Sequence, residues 1–463
     1  MHKLALILCL LPVFLFGQIT GDWHASFILV GKSNRMDLHI EQEPVSLVNL
    51  SNPNAKKPEP IPMSSVKLSD STVAFTYTKI GLSFKGKYYP SGDTLVGIMS
   101  QSDVRWTVVF RREVLEETKL IRPQEPVPPF DYPIEEFLIK NGDIVLGATL
   151  TLPKDQRLPY PIVILASGSG AQDRNCEIMG HKSFWVIADF LAQNGIGCLR
   201  FDDRGIGKST GVFAQASLMD FGADVSACVD FLAMDGRFKN HPIGIVGHSE
   251  GGMHSLIAAR KNKYVDFVIE LASVGTSGRD VLVEQQFLIP LAAGKDSVYA
   301  TWNRDVYAGL CDIIQRYPQQ KASDPIAAFL ETMYEKAPAE YQANTNVMNF
   351  KVGLSVFLNS AWGREFINYD AKKYLKKLTI PILAINGARD IQVPPISNKK
   401  GFETHFAKQT KTISEAVIVD GLNHLFQHCT SCDIMEYGDL EETFAPEVLQ
   451  KMRDWIFGLY FRF

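Results

Sequence analysis

From Gly21 to about Arg112, apolar and polar residues alternate in short runs such as "SVKLSD", "VAFTYT", "LSFKGKYY", "TLVGIMS" and "RWTVVFRR", parted by Gly, Asn, Asp and Ser. Period-two runs of this length between turn residues predict an all-β module. The segment "LIRPQEPVPPFDYP" then holds five prolines in fourteen residues, where neither a helix nor a central strand can continue. The expected division is a small all-β domain over 18–115, a proline-rich linker over 116–132 and a larger domain over 133–463.

Beyond the linker the period changes. The runs "EEFLIKN" and "IVLGATLTLP" flank Asn141 and Gly142 and predict a hairpin. Near-continuous apolar runs follow: "PIVILAS", "IGCLRFD", "IGIVGHS", "DFVIELA", "IPILAING" and "EAVIVDG", most of them separated by helical stretches such as "FWVIADFLAQNG" and "LMDFGADVSACVDFLAM". Apolar strands alternating with helices predict a mostly parallel sheet covered on both faces. Ligands of such sheets sit beyond the strands' carboxyl ends. From about Gly275 to Leu378 the strand rhythm stops, and "DVYAGLCDIIQRY", "PIAAFLETMYEKA" and "GLSVFLNSAW" read as amphipathic helices. An insertion of this length between two strands, on the ligand edge, is expected to form a cap over the site; plain helical elaboration is the alternative.

Composition adds limits. The 463 residues are 46% hydrophobic, enough for a sizeable core. With 47 Lys and Arg against 51 Asp and Glu, the chain has no strong field to gather nucleic acid or an anionic membrane, which leaves a small molecule as the expected partner. Its first residues, "MHKLALILCLLPVFLFGQ", carry one lysine, an apolar run from Leu4 to Phe16 and the small Gly17. This pattern reads as a signal peptide over 1–17, shorter than the ~20 residues that span a bilayer, so export to the periplasm or beyond is expected without stable membrane insertion. An uncleaved anchor is the alternative. Of the six remaining cysteines, Cys429 and Cys432 in "HCTSCD" can close a small disulfide, although six in a chain this long make no disulfide scaffold. His428 beside them lacks the second pair that a zinc site needs.

The candidate chemistry starts at "GIVGHSEGGMHS". G-x-S-x-G alone is a weak signal, but here Ser249 ends a strand and a helix begins at once, so the serine can occupy a sharp elbow with its hydroxyl exposed. A serine that merely caps the helix is the bland alternative. A nucleophilic serine needs a histidine to take its proton and a carboxylate to orient that histidine. Asp390 follows the strand in "IPILAINGARD" and His424 follows the last strand in "EAVIVDGLNH", giving the order Ser, Asp, His along later strand ends. His428 and His405 read as surface or structural groups, Asp420 as a possible brace of the loop, and His254 as a core or capping residue. Two backbone N–H groups should meet the oxyanion, one from Glu250 and the other most plausibly from Ser169 in "SGSGAQDRN". No cofactor or metal is needed, and the substrate-binding residues stay unassigned.

Two phosphate patterns fail. "GSGAQD" has Asp173 where a third glycine belongs, and "GIGKST" has Asp202 where the first P-loop glycine belongs. "DDRGIGKST" reads instead as a loop shaping the pocket floor, with Arg204 expected to pair with Asp203 or Asp173.

On "SGSGAQDRN", "RFDDRGIGKST", "GHSEGG", "INGARDIQVP" and "GLNHLFQ" with "EYGDLEETFAPEVLQKMRDWI", the chain from about Pro133 to Phe463 resembles the α/β-hydrolase superfamily, and within it exported bacterial serine esterases of the EstD type. "QHCTSCDIM" departs from that pattern. The resemblance implies a carboxylesterase acting on short acyl chains, with a small domain before the catalytic one. A serine peptidase of the prolyl-aminopeptidase kind and a non-catalytic surface-binding protein are the competing readings.

Overall fold

The computed structural model describes residues 19–460 apart from 30, 42–46, 52–59, 70, 102–103, 117, 119 and 409–412, so the expected signal peptide lies outside the described residues. Contacts divide the chain into two units, Met1–Ile121 and Arg122–Phe463. The proline-rich segment belongs to the second: Arg122 donates to the carbonyls of Gly438 and Leu440, and Gln124 to that of Phe444.

The first unit is one antiparallel sheet of β1 (Gly21–Leu29), β2 (Lys32–Glu41), β3 (Leu47–Ser51), β4 (Ile61–Pro62), β5 (Ser65–Leu68), β6 (Thr72–Tyr77), β7 (Leu82–Tyr89), β8 (Thr94–Gln101) and β9 (Val104–Arg111). Its strand order is β4-β3-β2-β1-β9-β8-β7-β6-β5. Laid flat, nine strands at ~4.8 Å spacing would part the two edges by about 38 Å. Only Met63 and Ser64 separate β4 from β5, a reach of about 11 Å, so the sheet curls until its edges nearly meet. Alternation puts Trp23, Phe75, Phe84, Leu95 and Phe110 inside, fully buried, and the Arg112 guanidinium lies 3.7 Å over the Trp23 ring. The outer faces of β1 and β2 pair Asp22 with His39 and His24 with Asp37.

The second unit opens with the hairpin β10 (Ile134–Asn141) and β11 (Ile144–Thr151), followed by β12 (Ile162–Ala166), the short pair β13 (Glu177–Ile178) and β14 (His181–Lys182), and α1 (Ser183–Gln193). Then come β15 (Gly197–Phe201), α2 (Leu218–Met234), β16 (Ile243–His248), α3 (Glu250–Lys261) and β17 (Phe267–Leu271). Seven helices intervene: α4 (Gly278–Ala292), α5 (Ser297–Arg316), α6 (Ser323–Glu335), α7 (Ala339–Asn344), α8 (Val347–Leu358), α9 (Ala361–Asn368) and α10 (Ala371–Leu375). The chain then adds β18 (Ile382–Gly387), α11 (Pro395–Phe406), β19 (Glu415–Val419) and α12 (Pro446–Tyr460).

The main sheet runs β10-β11-β15-β12-β16-β17-β18-β19, parallel from β15 to β19 and antiparallel at the β10 and β11 edge. Because β12, β15, β16 and β17 are buried at every position, successive residues feed opposite cores. Val163, Val246 and Ile269 pack with α1 and α12, whereas Ile164, Ile245 and Val268 pack with α2 and α3. Among the seven intervening helices, Trp302 of α5 packs on Phe350 and Tyr341 and donates to the Met333 carbonyl. "GLSVFLNSAW" is divided between α8 and α9, and Ser360 caps the latter by accepting from the Gly363 N–H.

Candidate active site

Ser249 stands between β16 and α3 with φ 57° and ψ −122°, a strained conformation for a non-glycine residue. Backbone crowding enforces it. A Cβ at Gly247 would lie 2.4 Å from Gly251 O, and one at Gly251 would lie 2.1 Å from Ala166 O, so only glycine lets the strand turn into the helix this tightly. Ser249 occupies the N-cap position of α3, yet its side chain makes no capping bond, which removes the bland reading of this serine.

The loop after β12 closes against it. A Cβ at Gly168 would come within 3.0 Å of Ser249 Cβ, and Ser169 Oγ donates to Glu250 Oε2 at 2.6 Å. The two residues expected to supply oxyanion donors are therefore neighbours. Among the described residues, neither their N–H groups nor that of Gly168 is paired outside regular helix or strand.

Asp390 and His424 come together beyond β18 and β19. Asp390 Oδ1 accepts the N–H groups of Gln392 and Val393 at 2.8 and 2.9 Å, and Oδ2 stands 2.8 Å from His424 Nδ1. A carboxylate on Nδ1 keeps the proton there and leaves Nε2 as the acceptor. Both side chains are buried. The loop bearing His424 is laced by its own polar groups. Asn423 Oδ1 accepts from the N–H groups of Leu425 and Gln427 at 3.0 Å each, and Gln427 Nε2 donates to the Glu442 carbonyl at 2.8 Å.

His248, the residue before the serine, joins the two halves. Its Nε2 donates to the His424 carbonyl at 2.9 Å, with the two rings 4.9 Å apart. Burial first, and the neighbouring His424 second, push its pKa down to about 3, so it stays neutral and keeps its donor on Nε2. No hydrogen bond joins Ser249 Oγ to His424 among the described residues; such contacts commonly tighten only when substrate is bound.

One pairing expectation changes here, and the other candidates take their places around the site. Arg204 pairs with neither Asp203 nor Asp173: its Nε and Nη2 donate to the two oxygens of Asp224 at 2.8 and 2.9 Å, because α2 brings that carboxylate under the loop. Asp203 accepts from Ser167 Oγ and the Gln172 N–H instead, and burial pushes its pKa up to about 6. His428 is exposed between Glu442 and Glu447, His405 is buried in α11, Asp420 is exposed after β19, and His254 faces Glu250. Cys429 and Cys432 form the expected disulfide, so although Glu436 lies beside them their sulfurs are not thiolates that could hold a metal.

Sequence reasoning missed His248, Asn423, Gln427 and the carboxylate of Glu250. All four lie inside quoted motifs, "GHSEGG" and "GLNHLFQ", and their polar side chains flanking the candidate residues were the available signal.

A serine on the elbow after one parallel strand, followed by a carboxylate and a histidine after two later ones, follows the chain order of α/β-hydrolases, and the sheet is theirs. More narrowly, the chain belongs to the hydrolase family described as Serine aminopeptidase, S33, whose model matches residues 181–428. It is similar to Esterase EstD of Thermotoga maritima, 24% identical over 322 residues that cover 69% of this chain and 67% of the relative. Among solved structures, it is similar to an esterase of Pyrococcus furiosus, with 14% identity, a TM-score of 0.44 and coverage of 74% of this chain and 99% of the other. A second is Est1E of Butyrivibrio proteoclasticus with ferulic acid bound, with 17% identity, a TM-score of 0.39 and coverage of 70% and 98%.

Proposed function

We propose that this chain is a carboxylesterase that moves a short acyl group from an ester to water in two steps. His424 Nε2 takes the Ser249 proton as Oγ attacks the carbonyl carbon, and Asp390 stabilises the imidazolium. The N–H groups of Glu250 and Ser169 hold the oxyanion, the alkoxide leaves with the proton from His424, and water repeats the sequence on the acyl-enzyme. The observation that carries this reading is the 2.8 Å contact of Asp390 Oδ2 with His424 Nδ1, on a loop that His248 ties to the strained, uncapped Ser249.

Similarity to an esterase of Thermotoga maritima supports an ester as substrate. The family's description favours a second reading, an aminopeptidase. Such an enzyme needs an anionic anchor for the substrate's amine. The carboxylate next to Ser249 in the chain is that of Glu250, and its oxygens are already taken by Ser169, Trp362 and His254, which supports the ester reading.

The segment from α4 to α10 acts, in this proposal, as a cap. The donation of Trp362 Nε1 in α9 to Glu250 Oε1 at 2.8 Å supports that role. The protein is proposed to be exported to the periplasm or the extracellular space, a reading that the Cys429 to Cys432 disulfide supports. No described helix is long and apolar enough to cross a membrane.

Purified protein assayed against matched short-chain aryl esters, acetylated sugars and aminoacyl amides tests the substrate class, with the esters expected to turn over fastest. Preference for the amides would reverse it. Ser249→Ala should abolish ester turnover while the unfolding midpoint holds, and stoichiometric organophosphonate labelling of Ser249 distinguishes an enzyme from an inert binding scaffold.

A further inference from the structure

The carboxylate of Glu250 is buried one residue from Ser249, and three donors converge on it. Ser169 Oγ reaches Oε2 at 2.6 Å, while Trp362 Nε1 at 2.8 Å and His254 Nε2 at 3.2 Å share Oε1. They belong to three different segments: the glycine-rich loop after β12, helix α9, and α3 itself. Ser169 lies 81 residues from Glu250 along the chain and Trp362 lies 112.

A carboxylate withdrawn from water is costly unless its oxygens are met, so each donor matters to it. Burial pushes its pKa up, but the bond and charge of His254 and the hydroxyl and indole donors outweigh that and hold it below the ordinary range. It is an anion that depends on its donors. Two of those donors have positions of interest. Ser169 belongs to the loop that lies against Ser249, and Trp362 belongs to the seven-helix insertion, its ring tilted against Phe366 with centroids 5.3 Å apart.

We propose that the Glu250 side chain is a positioning group that couples the seating of α9 to the geometry of the oxyanion hole. With Trp362 in place, Oε1 is satisfied and Oε2 stays directed at Ser169, which holds the loop against Ser249. When Trp362 withdraws, Oε1 keeps only the longer His254 contact, the carboxylate turns to strengthen it, and Ser169 loses its fixed acceptor. The oxyanion donors are then aligned only while the insertion is seated. This inference rests on reading Ser249 as the nucleophile and Ser169 and Glu250 as oxyanion donors.

Ser169 and Trp362 both donate to Glu250, so the shared carboxylate is what makes their effects interdependent in this proposal. The test is a double-mutant cycle with Ser169→Ala and Trp362→Phe, which delete one donor each and keep the bulk. Turnover of a short-chain aryl ester and the rate of Ser249 labelling by a fluorophosphonate are the readouts. Each single change is expected to lower kcat about tenfold with KM moved less than about twofold, the size of effect for a loosened rather than deleted oxyanion donor. The double variant should lose about tenfold rather than about a hundredfold, and Ser169→Thr should restore most of the loss.

Full multiplication of the two losses overturns the coupling, as does a change in KM alone or no change in kcat. If Trp362→Phe unfolds, Trp362→Leu takes its place in the cycle. Failure of the wild-type protein to label at Ser249 marks the separate failure of the esterase reading and removes the basis of the proposal with it.

Discussion

On the serine side of the site, backbone is packed against backbone: a Cβ at Gly251 would meet Ala166 O at 2.1 Å and Ser167 O at 2.6 Å, leaving the elbow one available path. On the histidine side, the loop is set by side chains, with Asp390 holding the ring and Asn423 and Gln427 holding the turn. The proposed nucleophile is fixed by steric exclusion and its proposed base by hydrogen bonding. The first kind of constraint is all-or-none, whereas the second yields by degrees.

The largest expected effect lies on the histidine side. Asp390→Asn should lower kcat on the order of 10⁴-fold by reversing the tautomer, while the urea midpoint moves little. Steady-state kinetics beside an unfolding curve checks this, and a matching loss of stability would show that Asp390 is mainly structural. Next, Gly251→Ala should destabilise by about 3 kcal/mol or more, since the clash is with backbone that cannot step aside. A normal thermal midpoint for that variant would break the contrast drawn above.

Gln427→Ala should cost about 1–3 kcal/mol by leaving buried carbonyls unmet, with kcat falling more than KM rises because the His424 loop loosens. The last effect, modest over any one pH unit, is a slope from beneath the elbow. Glu270 is buried on β17, and burial pushes its pKa up to about 8 against the smaller opposing effect of the Ser273 hydroxyl. The folded state thus keeps a proton that the unfolded chain releases near 4.5. The contribution to stability is fully present below pH 4.5 and is lost as pH rises through about 8, at up to ~1.4 kcal/mol per pH unit. Glu270→Gln should flatten that slope in urea titrations at several pH values, and an unchanged slope would assign it to other buried acids, of which Asp203, pushed up to about 6, is one.

Much of this was legible in sequence, because strands buried on both faces can only be apolar runs and because Asp390 and His424 directly follow two of them. Ser249 was legible through its glycines. Pairings that depend on how a helix lands on the sheet were not: Asp224 is the partner of Arg204 because of the seat of α2, and no local pattern encodes that. The Glu250 carboxylate was missed for a similar reason, since its acceptor role depends on residues 81 and 112 positions away. In the first unit the sheet was evident from alternation, but its curling was not, because strand order is invisible to a period of two.

That curling has a consequence for the life of the folded chain. An open nine-stranded sheet would offer passing molecules two rows of unpaired amides, a template for adding strands and eventually for fibres. Here the rows at β4 and β5 are brought within a few residues of one another, and β4 is a two-residue strand ending in Pro62, which has no N–H to give. The unit therefore carries its own protection against strand-by-strand aggregation, without borrowing it from a partner.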